Sequence, residues 1–196
     1  MNLELEKIKN AILYLTKNTK NLYFTKVLKL TYYFDFISVL ERGEPVTGDT
    51  YYHLPYGPVP TFIKDHLALL KTEVKNEEIS ISKDSGVSST ADSAFSGILE
   101  LEQKSEGFIL KNKEEPNMSY LSEYEKILLD DIIKDLGQKS ATDLVAKTHA
   151  EIPYIQTTQG NVINYKLAFY LDRSKILPSR KFDFNIEVSQ AEFFNK

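Results

Sequence analysis

The stretch Phe24–Arg42 constrains the fold more than any other part of this sequence. Val27, Leu30, Phe34 and Ile37 form one stripe at helical spacing, and Leu28, Tyr32, Phe36 and Val39 widen it. A surface helix needs an apolar stripe on one side only. This one carries too much apolar surface for that and reads as the central core helix. Gly43 follows directly and supplies a stop, because glycine tolerates the left-handed backbone that ends many helices.

The remaining elements arrange themselves around that helix. Leu5, Ile8, Ile12 and Leu15 mark a first helix that ends in the polar run 17–21. Glu44–Asp49 is a turn by its Pro, Gly and Asp content, and Thr50–Leu54 reads as a short strand. Pro55–Pro60 is expected to be a rigid loop, with Tyr56 packed beneath it. A helix carrying Phe62, Ile63, Leu67 and Leu70 comes next. Residues 76–97 are rich in serine and read as a flexible insertion. Ile98–Leu101 and Gly107–Leu110 could pair as a small hairpin.

Two capping boxes mark the second half. Ser122 with Glu125 opens a helix whose buried face is Leu128, Leu129, Ile132, Ile133 and Leu136, and Ser140 with Asp143 opens a short helix to about Thr148. His149 is expected to be hydrogen-bonded where that helix ends. A last helix runs from about Asn161 or Asn164 to Leu171. The tail alternates strictly, with Phe182, Phe184, Ile186 and Val188 on one side and Asp183, Asn185 and Glu187 on the other, which predicts a strand. The fold class is α+β, predominantly α: a compact multi-helix domain over 1–172, small β elements, and a strand-like extension over 173–196.

With 196 residues, 42% of them hydrophobic, a chain this long buries roughly 70% of its unfolded surface. The net charge of −4 argues against binding nucleic acid through bulk charge. A weak asymmetry remains, +2 over residues 1–75 and −6 beyond, with Lys17, Lys20, Lys26 and Lys29 set among Tyr14 and Tyr23. Cysteine is absent, which removes disulfides, thiolate metal sites and a cysteine nucleophile. No signal peptide and no membrane-length apolar run is present, so a cytoplasmic protein is expected. The sequence holds no phosphate-binding glycine loop, no HExxH and no nucleophile elbow. Three scattered histidines make no convincing metal site. Asp130, Asp131 and Asp135 lie opposite the buried face of their helix and read as solvated. The expectation is no enzyme, no catalytic residue, no metal and no cofactor.

Lys29–Asp35 (KLTYYFD), Gly43–Gly48 (GEPVTG) and Pro55–Val59 (PYGPV) together resemble the Panacea domain, the SocA-like antitoxin family. The second half is similar too, through Leu121–Leu128, Ser140–Leu144, Thr148-His149, Pro153-Tyr154 and Asn164–Phe169. The likeness covers about residues 5–172 without the serine-rich insertion. It departs at Leu54, near which the family carries an aromatic, usually Trp, and at Tyr154, where it carries Trp. The resemblance implies a mostly helical, non-enzymatic module, often encoded by phages or mobile elements. Many of its members neutralise a toxin by direct contact, one type hands its toxin to protease machinery, and some members have no known toxin. The expected partner is therefore a protein, without nucleic acid or membrane. Alternatives are a phage or mobile-element interaction or adaptor protein with no toxin, and a metal-dependent hydrolase or nuclease. Candidate contact residues are Tyr56, Pro58 and Val59 on the loop, His149 and Tyr154 beyond the second capping box, and Phe182, Phe184, Ile186, Val188, Phe193 and Phe194 in the tail.

Overall fold

In the computed structural model, which describes residues 3–79 and 93–181, the apolar stretch is the helix α2 (Phe24–Arg42), and every residue from Lys26 to Val39 is buried. Gly43 ends it as expected, in the left-handed region at φ 78°, its N–H donating to Val39 O at 2.9 Å. Packed around α2 are α1 (Leu3–Asn18), α3 (Thr61–Ile79), α4 (Glu123–Leu136), α5 (Ala141–His149) and a 3-10 helix (Tyr165–Tyr170). The short helices α6 (Ile152–Ile155) and α7 (Arg173–Ile176) and a 3-10 turn at Met118–Tyr120 are also present. The fold is predominantly α, with two small antiparallel hairpins among the described residues.

The first hairpin replaces the expected rigid loop. β1 (Tyr51–Leu54) pairs with β2 (Gly57–Pro60), His53 opposite Pro58 and Tyr51 opposite Pro60. Antiparallel pairs alternate between facing the partner strand and facing away. The N–H of His53 faces away from β2 and donates to Asn161 O at 3.0 Å, so the opposite positions on β2 face outward too. Pro58 and Pro60 fill them, where a strand loses nothing by lacking a donor. Residues 160–163 line the other edge of β1: Gly160 N–H donates to His53 O and Ile163 N–H to Tyr51 O, both at 2.8 Å. Asp49, just before β1, caps α3 by accepting from the N–H groups of Phe62 (3.0 Å) and Ile63 (2.9 Å).

The second hairpin, β3 (Leu99–Lys104) with β4 (Gly107–Asn112), buries Leu99, Leu101, Ile109 and Leu110. The insertion expected at 76–97 is structured at both ends. α3 continues to Ile79, and Phe95 is fully buried. The Ser93 hydroxyl donates to His66 O, and the Ala94 N–H to His66 Nδ1. Residues 80–92 lie outside the described residues.

Both capping boxes form. Three further expectations are corrected. The aspartates of α4 are bonded rather than merely solvated: Tyr14 donates to Asp130, Arg180 to Asp131, and Ser179 N–H to Asp135. The basic cluster disperses, because Lys26 and Lys29 are buried and donate to the carbonyls of Gly137 and Pro58. The last long helix is the 3-10 stretch Tyr165–Tyr170 instead.

The extension expected from residue 173 begins as part of the packed body. Ile176 and Leu177 are buried, and Arg180 bonds Glu41 of α2 and Asp131 of α4. Arg180→Ala is expected to lower stability by about 2 kcal/mol. That is below the usual cost of breaking a buried ion pair, because Arg173 also contacts Glu41. Urea denaturation checks it, and a loss within error would show the segment to be a passive strap. No helix among the described residues is long and apolar enough to cross a membrane.

Candidate protein-binding surface

The polar residues of the KLTYYFD stretch sit inside the core, and all but Thr31, which donates to Val27 O one turn back, have a distant partner. Lys29, fully buried, donates to Pro58 O at 2.6 Å. The hydroxyls of Tyr32 and Tyr33 donate to the Glu151 carboxylate at 3.1 and 2.9 Å. Asp35 accepts from the N–H groups of Val46 and Thr47, from the Thr47 hydroxyl and from the Tyr51 hydroxyl. The hairpin is thus clamped from below at both ends, by Lys29 under β2 and by Asp35 beside β1. Buried groups of this kind stay polar only because they are bonded.

Burial shapes the charge states. It holds the Lys29 amine down to about 7 and pushes the Glu151 carboxyl up to about 7 against the two tyrosine bonds. Burial also pushes Asp35 up to about 6, while its donors pull the other way. The clamp is tight enough to require glycine at 57. Its φ is +93°, and an added Cβ would stand 2.7 Å from Thr148 Oγ1 and 3.0 Å from Lys29 Cε.

Beside the hairpin, Tyr154 lies against two imidazoles. His53 stacks on its ring at 3.6 Å between centroids and His149 at 4.3 Å, nearly parallel at 6°. The Tyr154 hydroxyl donates to Leu54 O at 3.0 Å, joining α6 to the hairpin. Two expectations change here. Tyr56 does not fill the space under its loop but stands at the hairpin tip, 73% exposed. His149 is held by stacking, and its buried Nε2 has no hydrogen-bond partner among the described residues.

Of the other candidate contacts, Pro58 and Val59 are buried in β2, Tyr154 is half-buried in the stack, and Phe182, Phe184, Ile186, Val188, Phe193 and Phe194 lie outside the described residues. The fold brings Tyr56, His149 and Tyr154 to one neighbourhood and adds two residues that periodicity did not single out. Ile155 is 60% exposed and Val162 50%, on the segment that pairs with β1.

A signal for this face was present in the sequence. In a chain with 27% charged residues, neither 50–63 nor 152–165 contains an Asp, Glu, Lys or Arg. The fold pairs those two stretches edge to edge. Depletion of charge with exposed aromatic and aliphatic side chains is the composition of the buried centre of protein interfaces. Among the described residues no group of three or more His, Asp or Glu converges as metal ligands.

The family model described as antitoxin SocA-like, Panacea domain, matches residues 27–153. The match takes in the clamp, the hairpin and His149, and stops before Tyr154, Ile155 and Val162. No curated protein and no solved structure matches the chain.

Proposed function

The chain belongs to the SocA-like antitoxin family with the Panacea domain, matched over well more than half its length, and from that premise we propose that it is a binding module that neutralises a protein toxin by direct contact through the uncharged face around the first hairpin. The observation that carries this reading is the exposure of Tyr56 at the tip of a hairpin fixed from beneath by Lys29, Asp35 and Gly57. A large amphipathic ring on a rigid support loses little conformational freedom on binding. Tyrosine is among the residues that concentrate interface energy. Ile155 and Val162 widen the apolar contact, and Gln156, Thr158, Gln159 and Asn161, all exposed, offer hydrogen bonds around it without charge.

Copurification from the native host with the full chain tests it, comparing the wild type with Tyr56→Ala. The wild type is expected to retain a specific protein that arrests growth when expressed alone and does so no longer beside the wild type. Tyr56→Ala should bind that protein roughly tenfold or more weakly. Its melting temperature should not change, since residue 56 is exposed. Undiminished binding by Tyr56→Ala would move the contact off the hairpin. A bound partner without toxicity would favour an interaction or adaptor role instead.

A further inference from the structure

We propose that the His53–Tyr154–His149 stack is an acid-sensitive latch on this face, holding residues 160–163 against β1 while the His149 imidazole is neutral and releasing them when it takes a proton. The latch would regulate the surface just described and rests on that reading only for its consequence.

The geometry is specific. Nδ1 of His53 and Nε2 of His149 are both buried, and neither has a hydrogen-bond partner among the described residues. In a neutral imidazole such a nitrogen is a weak loss. Protonated, it becomes a buried N–H carrying positive charge with nothing to accept it, which is a far larger one.

The groups that face His149 make this worse. From α2 comes the Lys29 amine, from β1 the second imidazole, and from α6 the Tyr154 ring; none of the three carries negative charge. The nearest carboxylate in sequence, Glu151, is engaged by Tyr32 and Tyr33. Lys147, on the same helix, donates to Lys175 O. Burial first, then Lys29, then His53, hold His149 below its usual range. His53 also ties the latch to the strip directly, because its own N–H and C=O bond Asn161 and Gly160.

Acid acts in the opposite sense on the carboxylates below. Asp35 and Glu151 are held up by burial, so protonation relieves them. Lys29, held down to about 7, gains its proton in the same range and acts in the same sense as His149, so global stability mixes opposing effects and the latch has to be read locally.

Amide hydrogen exchange by NMR on the full chain does so, with rates corrected for the pH dependence of the chemistry. The informative amides are His53, Gly160 and Ile163, with α4 as reference. Between about pH 7.5 and about pH 5.5, the span over which histidine changes charge, the three strip amides are expected to lose protection while α4 keeps its own. His149→Phe keeps a ring on Tyr154 and removes the proton site, so it should hold the strip closed across the range. Unchanged protection in the wild type overturns the proposal. So does loss that persists in His149→Phe, which would place the titration elsewhere. Should that variant fail to fold, the imidazole proton shifts of the wild type decide: His149 is expected to stay neutral to lower pH than a free histidine, and titration at the ordinary value overturns the latch. No partner is needed for any of these readings, so a wrong partner assignment leaves the outcome standing.

Discussion

Asp35→Ala is expected to destabilise the fold by about 4 kcal/mol, within the range for removing one member of a buried charged network. Alanine there strands the N–H groups of Val46 and Thr47 and the hydroxyls of Thr47 and Tyr51, all in buried surroundings. Each abandoned donor carries its own desolvation penalty. Asp35→Asn keeps the shape and one acceptor oxygen, so about half that loss is expected. Urea denaturation of the three proteins measures both. A loss of less than about 1 kcal/mol for Asp35→Ala would mean that water replaces the carboxylate freely and that α2 does not organise the 46–51 turn.

Raising the pH from 7 to 9.5 is expected to stabilise the protein through Lys29, by about 3 kcal/mol over that interval. The direction follows from proton counts. Burial holds Lys29 down to about 7 in the folded protein, while the unfolded side chain titrates near its usual 10.5. Between those values the unfolded state binds more protons, so stability rises with pH, and the opposing contribution is greatest below 7. Lys29 is fully buried, so solvent screening does not reduce the effect. Glu151, held up to about 7, opposes this mainly below the window and over its lowest part. Tyr32, Tyr33 and Tyr51, held well above their usual value, act in reverse above it. Lys29→Met should remove the slope, even though it gives up the bond to Pro58 O. Denaturation curves at several pH values check this, and a wild type as flat as Lys29→Met would show the amine to be solvated.

Much of the scaffold was legible in the chain because its signals are local. The stripe of α2, the stop at Gly43 and the boxes at Ser122 and Ser140 all concern residues within a few positions of one another. Where local signals mislead, a distant partner is the cause. Serine content around 82–96 suggested a mobile stretch, yet Ser93 and Phe95 are held by α3, at His66, and by the core. Prolines at 58 and 60 suggested a loop, yet they occupy the outward positions of a strand.

Periodicity and composition establish that a helix over 24–42 is central, that helices dominate, and that two stretches are uncharged, because both patterns follow directly from which surfaces must leave water. It also carried the motif by which the family is recognised. The structural role of that motif emerges only from contacts far apart along the chain. Lys29 meets Pro58 across 29 positions, and Tyr33 meets Glu151 across 118. A buried donor must find an acceptor, but nothing in its own neighbourhood along the chain says which one. The same holds for the face itself: residues 50–63 and 152–165 become one surface only because β1 has a second edge, and residues 160–163 occupy it.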